Sequence, residues 1–398
     1  MNVTVVGAGP GSPELFTGKM KKAVSEADLV LTSERLVHDM KLLNVNAKAC
    51  GIKETLEYID EKADSEERLC VVASGDTGFY SIASTIARQA GKGVTVERIC
   101  GISSMQYFAA VTDHGYETMK LVSLHGRGSS IVPFVCYNKS VFALTGGALK
   151  ASDIVRELAD KEMDHVQVFI GENLTMESER IVQGKPSELA QLEFDDLAVM
   201  IVDNPEAADS NMVLRDEDFI RGKVPMTKET IRCIAAAELA IKPGDVVYDV
   251  GAGTGAMTCT MALAANESFV YALEKKAEAV ELVHANMKNL GIYNIDLKSG
   301  SAPEAMEGFP PADKAFIGGS CGNLREIVER VLAANEAAVI VITAVTLETL
   351  SEAQVLFKSL ELKTDIKCIN ISKAEKLGRY DLMKAENPIY ILRGEKDD

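Results

Sequence analysis

The sequence predicts an α/β protein built in two successive parts, and three observations carry that expectation. Short apolar runs alternate along the chain with helix-length segments whose apolar residues recur at helical spacing. Two of these runs, beginning at Asn2 and at Val246, end in glycine-rich turns, Gly7-Ala-Gly-Pro-Gly-Ser-Pro13 and Gly251-Ala-Gly-Thr-Gly255. Between them, the stretch 206–222 is small and polar, then charged, as a linker would be. At 398 residues the chain exceeds one ordinary core. The expected division is a first domain over 1–205, a linker over 206–222 and a second domain over 223–398.

In the first part, Asn2 to Val6 reads as a strand. Pro10 and Pro13 in its glycine loop remove amide donors, so a phosphate-cradling helix cannot start at once. A helix is expected from about Pro13, carrying Leu15, Met20, Ala23 and Ala27 inward. Leu69 to Tyr80 is a strand running into Ser74-Gly-Asp-Thr-Gly-Phe79. Cys100-Gly-Ile-Ser-Ser-Met105 and Leu121-Val-Ser-Leu-His-Gly-Arg-Gly128 each read as strand and small-residue loop. Loops at strand carboxyl ends line ligand sites in parallel α/β sheets. Taken alone, Asp76 is equally suited to capping the next helix, and His125 to an exposed loop.

In the second part, Val246 to Val250 is a strand, followed by a glycine turn, a short helix and a second strand, Phe269 to Leu273, ending at Glu274. The turn needs close backbone approach, which glycine permits. An acidic residue about 20 residues on is placed for ribose hydroxyls. This is a nucleoside-binding βαβ unit, with Gly251, Ala252, Gly253, Thr254, Gly255 and Glu274 as its candidate cofactor residues. Ala256 can complete a dinucleotide spelling, so NAD stays open. Asp249, two residues before the first glycine, can face an ammonium group and would repel a pyrophosphate. Gly251-x-Gly-x-Gly255 resembles motif I of the seven-strand methyltransferases, which implies S-adenosylmethionine. The helix 277–290 should bury Val280, Val283, Met287 and Leu290 and close at Gly291. Strands near 313–317, 337–342, 363–371 and 389–393 would complete a seven-strand sheet.

Composition bounds the function classes. The net charge of −17 argues against nucleic acid, and it requires any site for an anionic substrate to be locally basic. No apolar run reaches membrane-spanning length. Eight cysteines stand singly, without C-x-x-C or metal spacing, and no basic leader precedes the strand at Asn2. A reducing, cytoplasmic setting is expected.

The first-part motifs Gly7–Pro13, Ser74–Phe79, Gly101-Ile-Ser-Ser104 and Ser123-Leu-His-Gly-Arg127, in that order, resemble the tetrapyrrole methylases of cobalamin biosynthesis, above all those acting at carbon 5 of a precorrin. The resemblance covers about residues 1–205. It implies two small α/β subdomains, the second running from Leu144-Thr-Gly-Gly147 through Val168–Asn173 to Leu197–Pro205. It implies cofactor contacts from Ser74, Gly75, Asp76, Gly78, Phe79, Ser103 and Ser104, and a tetrapyrrole trough lined by Pro10, His125 and Arg127. Cys100 departs from the proline usual before the Gly-Ile-Ser-Ser loop.

From about 219 to 395 the chain resembles the decarboxylating precorrin methyltransferases acting at carbon 15. The motifs are Met226-Thr-Lys228, Gly251–Gly255, Glu274, Gly300-Ser-Ala-Pro-Glu304, Ile317-Gly-Gly-Ser-Cys-Gly322, Val345-Thr-Leu-Glu348 and Asn387-Pro388. This implies a Rossmann-like methyltransferase domain in which Thr227, Ser301 and Ala302 approach the cofactor. Thr227 is also a natural helix N-cap. Ser301 departs from the family's usual aspartate. The almost bare loop 317–322, with Gly319 and Ser320, would let a flat macrocycle lie near the cofactor. Arg127, Arg232 and Arg379 are the expected holders of its acetate and propionate arms.

Together the resemblances imply a bifunctional precorrin methyltransferase with two S-adenosylmethionine sites per chain, a tetrapyrrole substrate and homo-oligomeric assembly. The rival expectations are an NAD-linked oxidoreductase using both glycine motifs and a non-catalytic tetrapyrrole carrier.

Overall fold

In a computed structural model the chain divides into two compact units, residues 1–128 with 140–203 and residues 129–139 with 204–398. The structure describes residues 1–91, 93–124, 130–147 and 149–397.

The first unit holds two five-stranded sheets. Strands β1 (Asn2–Gly7), β2 (Leu29–Thr32), β3 (Ala47–Ala49), β4 (Arg68–Ala73) and β5 (Thr95–Ile99) form one of them in the order β3-β2-β4-β1-β5. Every pairing is parallel. Such a sheet is covered on both faces, which suits Val3, Val5 and Val6 of β1, all buried. Val3 and Val5 meet Ile59, Leu69 and Ile86, while Val6 on the opposite face meets Met20, Val24 and Met40. Pro13 opens only a 3-10 turn, Pro13–Leu15. The α-helix starts later, at Gly18, after Thr17 caps it by accepting from the Met20 amide. Met20 and Val24 are buried there, with Ala23 and Ala27 partly so.

The second sheet contains β6 (Lys120–Ser123), β7 (Ser140–Leu144), β8 (Gln167–Glu172), β9 (Arg180–Gly184) and β10 (Ala198–Asp203) in the order β6-β7-β10-β8-β9. Only β6 and β7 run parallel. Phe108, Phe142, Leu174 and Ile201 pack among its core residues.

The second unit is built on β11 (Val247–Val250), β12 (Val270–Glu274), β13 (Ile295–Ser299), β14 (Lys314–Ile317), β15 (Val339–Ala344), β16 (Lys363–Ile369) and β19 (Ile389–Glu395), with β17 (Ser372–Leu377) and β18 (Tyr380–Ala385) standing apart as a hairpin. The sheet order is β13-β12-β11-β14-β15-β19-β16, parallel except for β19. This is the expected seven-strand Rossmann-like sheet. Side chains alternate along β11. Val247 enters the core with the helices Glu229–Leu239 and Ala256–Ala264, whereas Tyr248 and Val250 enter the core with Leu324–Ala334 and Leu347–Ser359. The strand order reverses at β11 and β14, so a crevice opens at their carboxyl ends. The helix Ala277–Leu290 ends at Gly291 in the left-handed conformation and buries Val283 and Met287.

The stretch expected to be a linker lies within the second unit. Leu214 and Phe219 are buried beside Ile231 and Ala235, and the Asn286 side chain binds both the amide and the carbonyl of Ile220. Most of its charged residues face water, which gives it a linker's composition, but two buried apolar residues, Leu214 and Phe219, anchor it. Residues 129–139 belong to the same unit. There the Tyr137 hydroxyl meets the Asn294 side chain at 2.6 Å and the Ala262 carbonyl at 2.9 Å. No helix among the described residues is long and apolar enough to cross a membrane.

Candidate cofactor and substrate sites

In the first unit the loops after β1, β4 and β5 converge. A Cβ on Gly7 would stand 2.5 Å from the Gly75 carbonyl oxygen and 2.7 Å from the Gly101 amide nitrogen. Only glycine allows this approach. The Gly9 amide donates to the Gly75 carbonyl at 3.1 Å and the Gly75 amide to the Gly9 carbonyl at 2.8 Å. Those amides are therefore used between loops and do not form a phosphate cradle. Asp76 completes the tie, Oδ1 accepting from the Gly78 amide at 2.8 Å and Oδ2 from the Gly101 amide at 3.0 Å. It does not cap the following helix Ile82–Gln89, a role taken by Ser81. Ser103 is buried and caps the helix Ser104–Val111.

Around this knot lies a cavity of about 220 Å³. Pro10, Ser74, Gly75, Asp76, Phe79, Ser103 and Ser104 line it opposite Leu144, Gly171 and Val199 from the second sheet. Gly78 stands outside the lining, its amide held by Asp76. His125 and Arg127 lie outside the described residues. The sequence reading missed Arg35, which reaches the cavity from the loop after β2. Its signal was available, since that loop also leaves the carboxyl end of a parallel strand.

The second cleft, of about 350 Å³, opens at the carboxyl ends of β11, β12 and β14. Gly251, Gly253, Glu274, Ser301, Ala302, Gly319 and Ser320 line it, together with Lys275, Lys276 and Cys321. The Glu274 carboxylate is almost buried. Its Oε2 accepts from the Gly253 amide at 2.9 Å, and its Oε1 from the amides of Lys275 and Lys276 at 2.8 and 2.9 Å. Oε2 keeps one lone pair for a further donor such as a ribose hydroxyl. Behind the turn, Asp249 is wholly buried. Its Oδ2 accepts from the Thr258 hydroxyl, while Oδ1 has no hydrogen-bond partner among the described residues. Burial pushes this carboxyl up to about 7, against the pull of the Thr258 hydrogen bond, with the charge of Glu274 adding to the rise. Of these two acids only Glu274 lines the cleft, where its free lone pair suits a ligand diol, while Asp249 stays buried behind the turn.

Other expected residues play supporting parts. Gly255 begins the helix Ala256–Ala264 at φ 80°, and a Cβ there would press on Val283 at 3.1 Å. Thr254 is buried with its carbonyl held by Asn286, and the buried Ala252 donates its amide to Leu273. Neither lines the cleft. The N-cap of the helix Glu229–Leu239 is Lys228, one residue after Thr227, whose carbonyl accepts from Arg232. Arg232 corrects the sequence reading. It is 1% exposed, paired with Asp216 at 2.7 Å, bonded to the carbonyls of Thr227 and Leu214, and stacked on Phe219. Its guanidinium holds the fold together and is not offered to a substrate. Arg379 sits at the exposed turn between β17 and β18, stacked on Tyr380, and does not line the cleft.

Two family models match the chain. Tetrapyrrole (Corrin/Porphyrin) Methylases covers residues 2–190, and a precorrin methyltransferase domain covers residues 218–396. The chain is 37% identical over 180 residues to a probable cobalt-precorrin-6B C(15)-methyltransferase (decarboxylating) of Pyrobaculum calidifontis, a match spanning 44% of this chain and 92% of the relative. A protein of the same description from Sulfurisphaera tokodaii is 36% identical over 189 residues, 46% of this chain and 96% of that one. Among solved structures, a precorrin-6y C5,15-methyltransferase of Geobacter metallireducens GS-15 aligns with a TM-score of 0.45 at 29% identity, covering 46% of this chain and 97% of that one. With one glycine knot at the parallel sheet of its first unit and another at the seven-strand sheet of its second, the chain belongs to the precorrin methyltransferases, enzymes of cobalamin biosynthesis, and joins a tetrapyrrole methylase to a precorrin methyltransferase domain in one polypeptide.

Proposed function

We propose that the chain methylates a precorrin or cobalt-precorrin at carbons 5 and 15, using S-adenosylmethionine in both clefts, and removes carbon dioxide from the ring C acetate. The observation that carries this reading is the presence of two separate clefts, each at strand carboxyl ends and each within a unit matched by its own family model. When bound, the cofactor supplies an activated methyl group. In the second cleft Glu274 would hold its ribose hydroxyls, and Asp249, buried behind the glycine turn, would act on its ammonium through space. The nucleophile is an electron-rich ring carbon, so the residues chiefly position, an effect worth up to about 7–11 kcal/mol in favourable cases. Loop 318–320, two glycines and a serine, leaves room for a flat ring beside the cofactor. Decarboxylation breaks the carbon–carboxylate bond, and the conjugated ring takes the electron pair. We assign that step to the second unit, coupled to methylation at carbon 15.

Mass spectrometry of products tests the division of labour. Gly253→Val should abolish carbon-15 methylation and carbon dioxide loss together. Asp76→Arg, which breaks the tie between the loops of the first cleft, should give a product one methyl short but decarboxylated. Carbon dioxide release that survives in Gly253→Val, once cofactor binding there is shown to be lost, would uncouple the two steps.

Self-association is part of the same proposal. The β17–β18 hairpin exposes Leu377, Tyr380, Leu382 and Met383, and an isolated two-stranded hairpin is marginal in water. A second copy of the chain would cover it, which sedimentation of a hairpin-shortened variant would check. All eight cysteines are free, which suits a reducing cytoplasm.

A further inference from the structure

The first cleft contains a cation that the fold leaves without a counter-charge. Arg35 is half-buried in the cavity wall, in the turn that follows β2. Its Nη1 donates to the Pro10 carbonyl at 2.9 Å and its Nη2 to the Ser74 hydroxyl, both neutral acceptors. Gly11 makes space for it, since a Cβ there would stand 2.5 Å from Nη1. Three other arginines of the same unit hold carboxylates, Arg68 with Asp28, Arg156 with Glu193 and Arg180 with Glu172, while Arg88 and Arg98 donate to backbone carbonyls away from the cavity. Arg35 makes no ion pair among the described residues. Asp39 acts on it only through space, and burial lowers its pKa. The one carboxylate near it in the wall, Asp76, has an amide on each oxygen.

A guanidinium carries five N–H donors, and two of them are engaged here. Desolvating a charge without pairing it costs stability, so the arrangement is poised for an anion. The chain's net charge of −17 makes such a local cation necessary for an acidic substrate. We propose that Arg35 is the carboxylate-binding residue of the first cleft, taking one acetate or propionate arm of the tetrapyrrole through its remaining N–H groups. The proposal rests on the tetrapyrrole reading above. It makes the cleft selective for a ring bearing a free carboxylate there, because a ring without one would leave the guanidinium unpaired. The cofactor's own carboxylate offers the same chemistry, and the test must separate the two.

The full-length chain is compared with Arg35→Gln and Arg35→Lys. Carbon-5 methylation is followed by mass spectrometry against ring concentration, and cofactor affinity by calorimetry. Binding of uroporphyrin I, a ring rich in carboxylates, is followed by its fluorescence. Arg35→Gln should raise the KM for the ring about tenfold or more, with kcat and cofactor affinity nearly unchanged, as expected for loss of a charge-assisted hydrogen bond. Arg35→Lys should fall between, since it keeps the charge and loses the fork. It carries the comparison if the glutamine variant does not fold. An equal loss of cofactor affinity with an unchanged KM would assign the guanidinium to the cofactor and overturn the proposal. So would a variant with neither value changed. If the wild-type chain does not methylate carbon 5, the functional reading fails by itself. Uroporphyrin I then decides on Arg35, with weaker binding by Arg35→Gln supporting the site and equal binding refuting it.

Discussion

The two glycine turns of this protein are spelled almost alike and do opposite things. At Gly7 and Gly9 the backbone is turned inward, toward the loops of Gly75 and Gly101, so closely that Gly7 has no room for a Cβ. The amides are consumed, and the ligand surface is made by neighbours such as Ser74, Phe79 and Ser104. At Gly251 to Gly255 the turn holds a buried acid behind it, Asp249, and draws a second acid, Glu274, onto the Gly253 amide. There the turn itself lines the cleft. A glycine spelling therefore reports close backbone approach. In both units the next loop approaches, Gly75 and Gly101 on Gly7 and Gly319 on Gly251, but at Gly253 the second turn leaves its inner side open to the cleft.

The sharpest test of that contrast is Gly7→Val against Gly253→Val. The valine at 7 meets backbone atoms of two loops, so relief needs the loops to move, and the first unit should lose about 3 kcal/mol, the upper end for overpacking. At 253 the nearest atom to a Cβ is the Pro225 carbonyl at 3.5 Å, so the cost is mainly that of a φ of 58°, about 1–2 kcal/mol. That chain should fold and lose its second cofactor. Denaturant unfolding should show the two variants weakening different transitions. Equal losses would erase the distinction between a locking turn and a presenting one.

Next in size is Glu274→Ala, which frees the Gly253, Lys275 and Lys276 amides and leaves ribose hydroxyls unpaired. Calorimetry should find about 1–3 kcal/mol less cofactor affinity at the second cleft and an undisturbed first cleft. A loss at both clefts would mean that they are not separate.

The smallest expected effect is a pH dependence confined to the second cleft. Asp249 is held up at about 7 by burial, so at pH 6 it is mostly neutral in the folded chain. A carboxyl raised on folding binds its proton more tightly folded than unfolded. Its contribution to stability therefore falls as pH rises from its unfolded value to about 7, then levels off. A cofactor ammonium would favour the ionised form, so binding should release a proton and tighten a few-fold from pH 6 to about pH 7.5, above which the amino group itself begins to lose its proton. Asp249→Asn should flatten that profile. A wild-type affinity that is flat over the same range would separate Asp249 from the cofactor.

Much of this architecture was legible in the sequence, because it rests on local patterns. The strand at Val247–Val250, the acid closing β12 and the stripe of the helix Ala277–Leu290 follow from periodicity and turn chemistry. What escaped depends on residues far apart in the chain. Composition made 206–222 a linker, but Leu214 and Phe219 meet Ile231 and Ala235 only after folding. Arg232 looked like a free cation, and its Asp216 partner could be identified only from the fold. For Arg35 the loop after a parallel strand was a signal in the sequence, but its partners Pro10 and Ser74 come from two other loops and are met only after folding. The β17–β18 hairpin lacks apolar alternation on a buried face, since every residue of both strands is exposed.

If both clefts take the cofactor, calorimetric titration of the intact chain with S-adenosylmethionine finds two molecules bound per chain, and one in Gly253→Val with the remaining affinity unchanged. A single molecule bound to the intact chain would leave one of the two clefts without a cofactor.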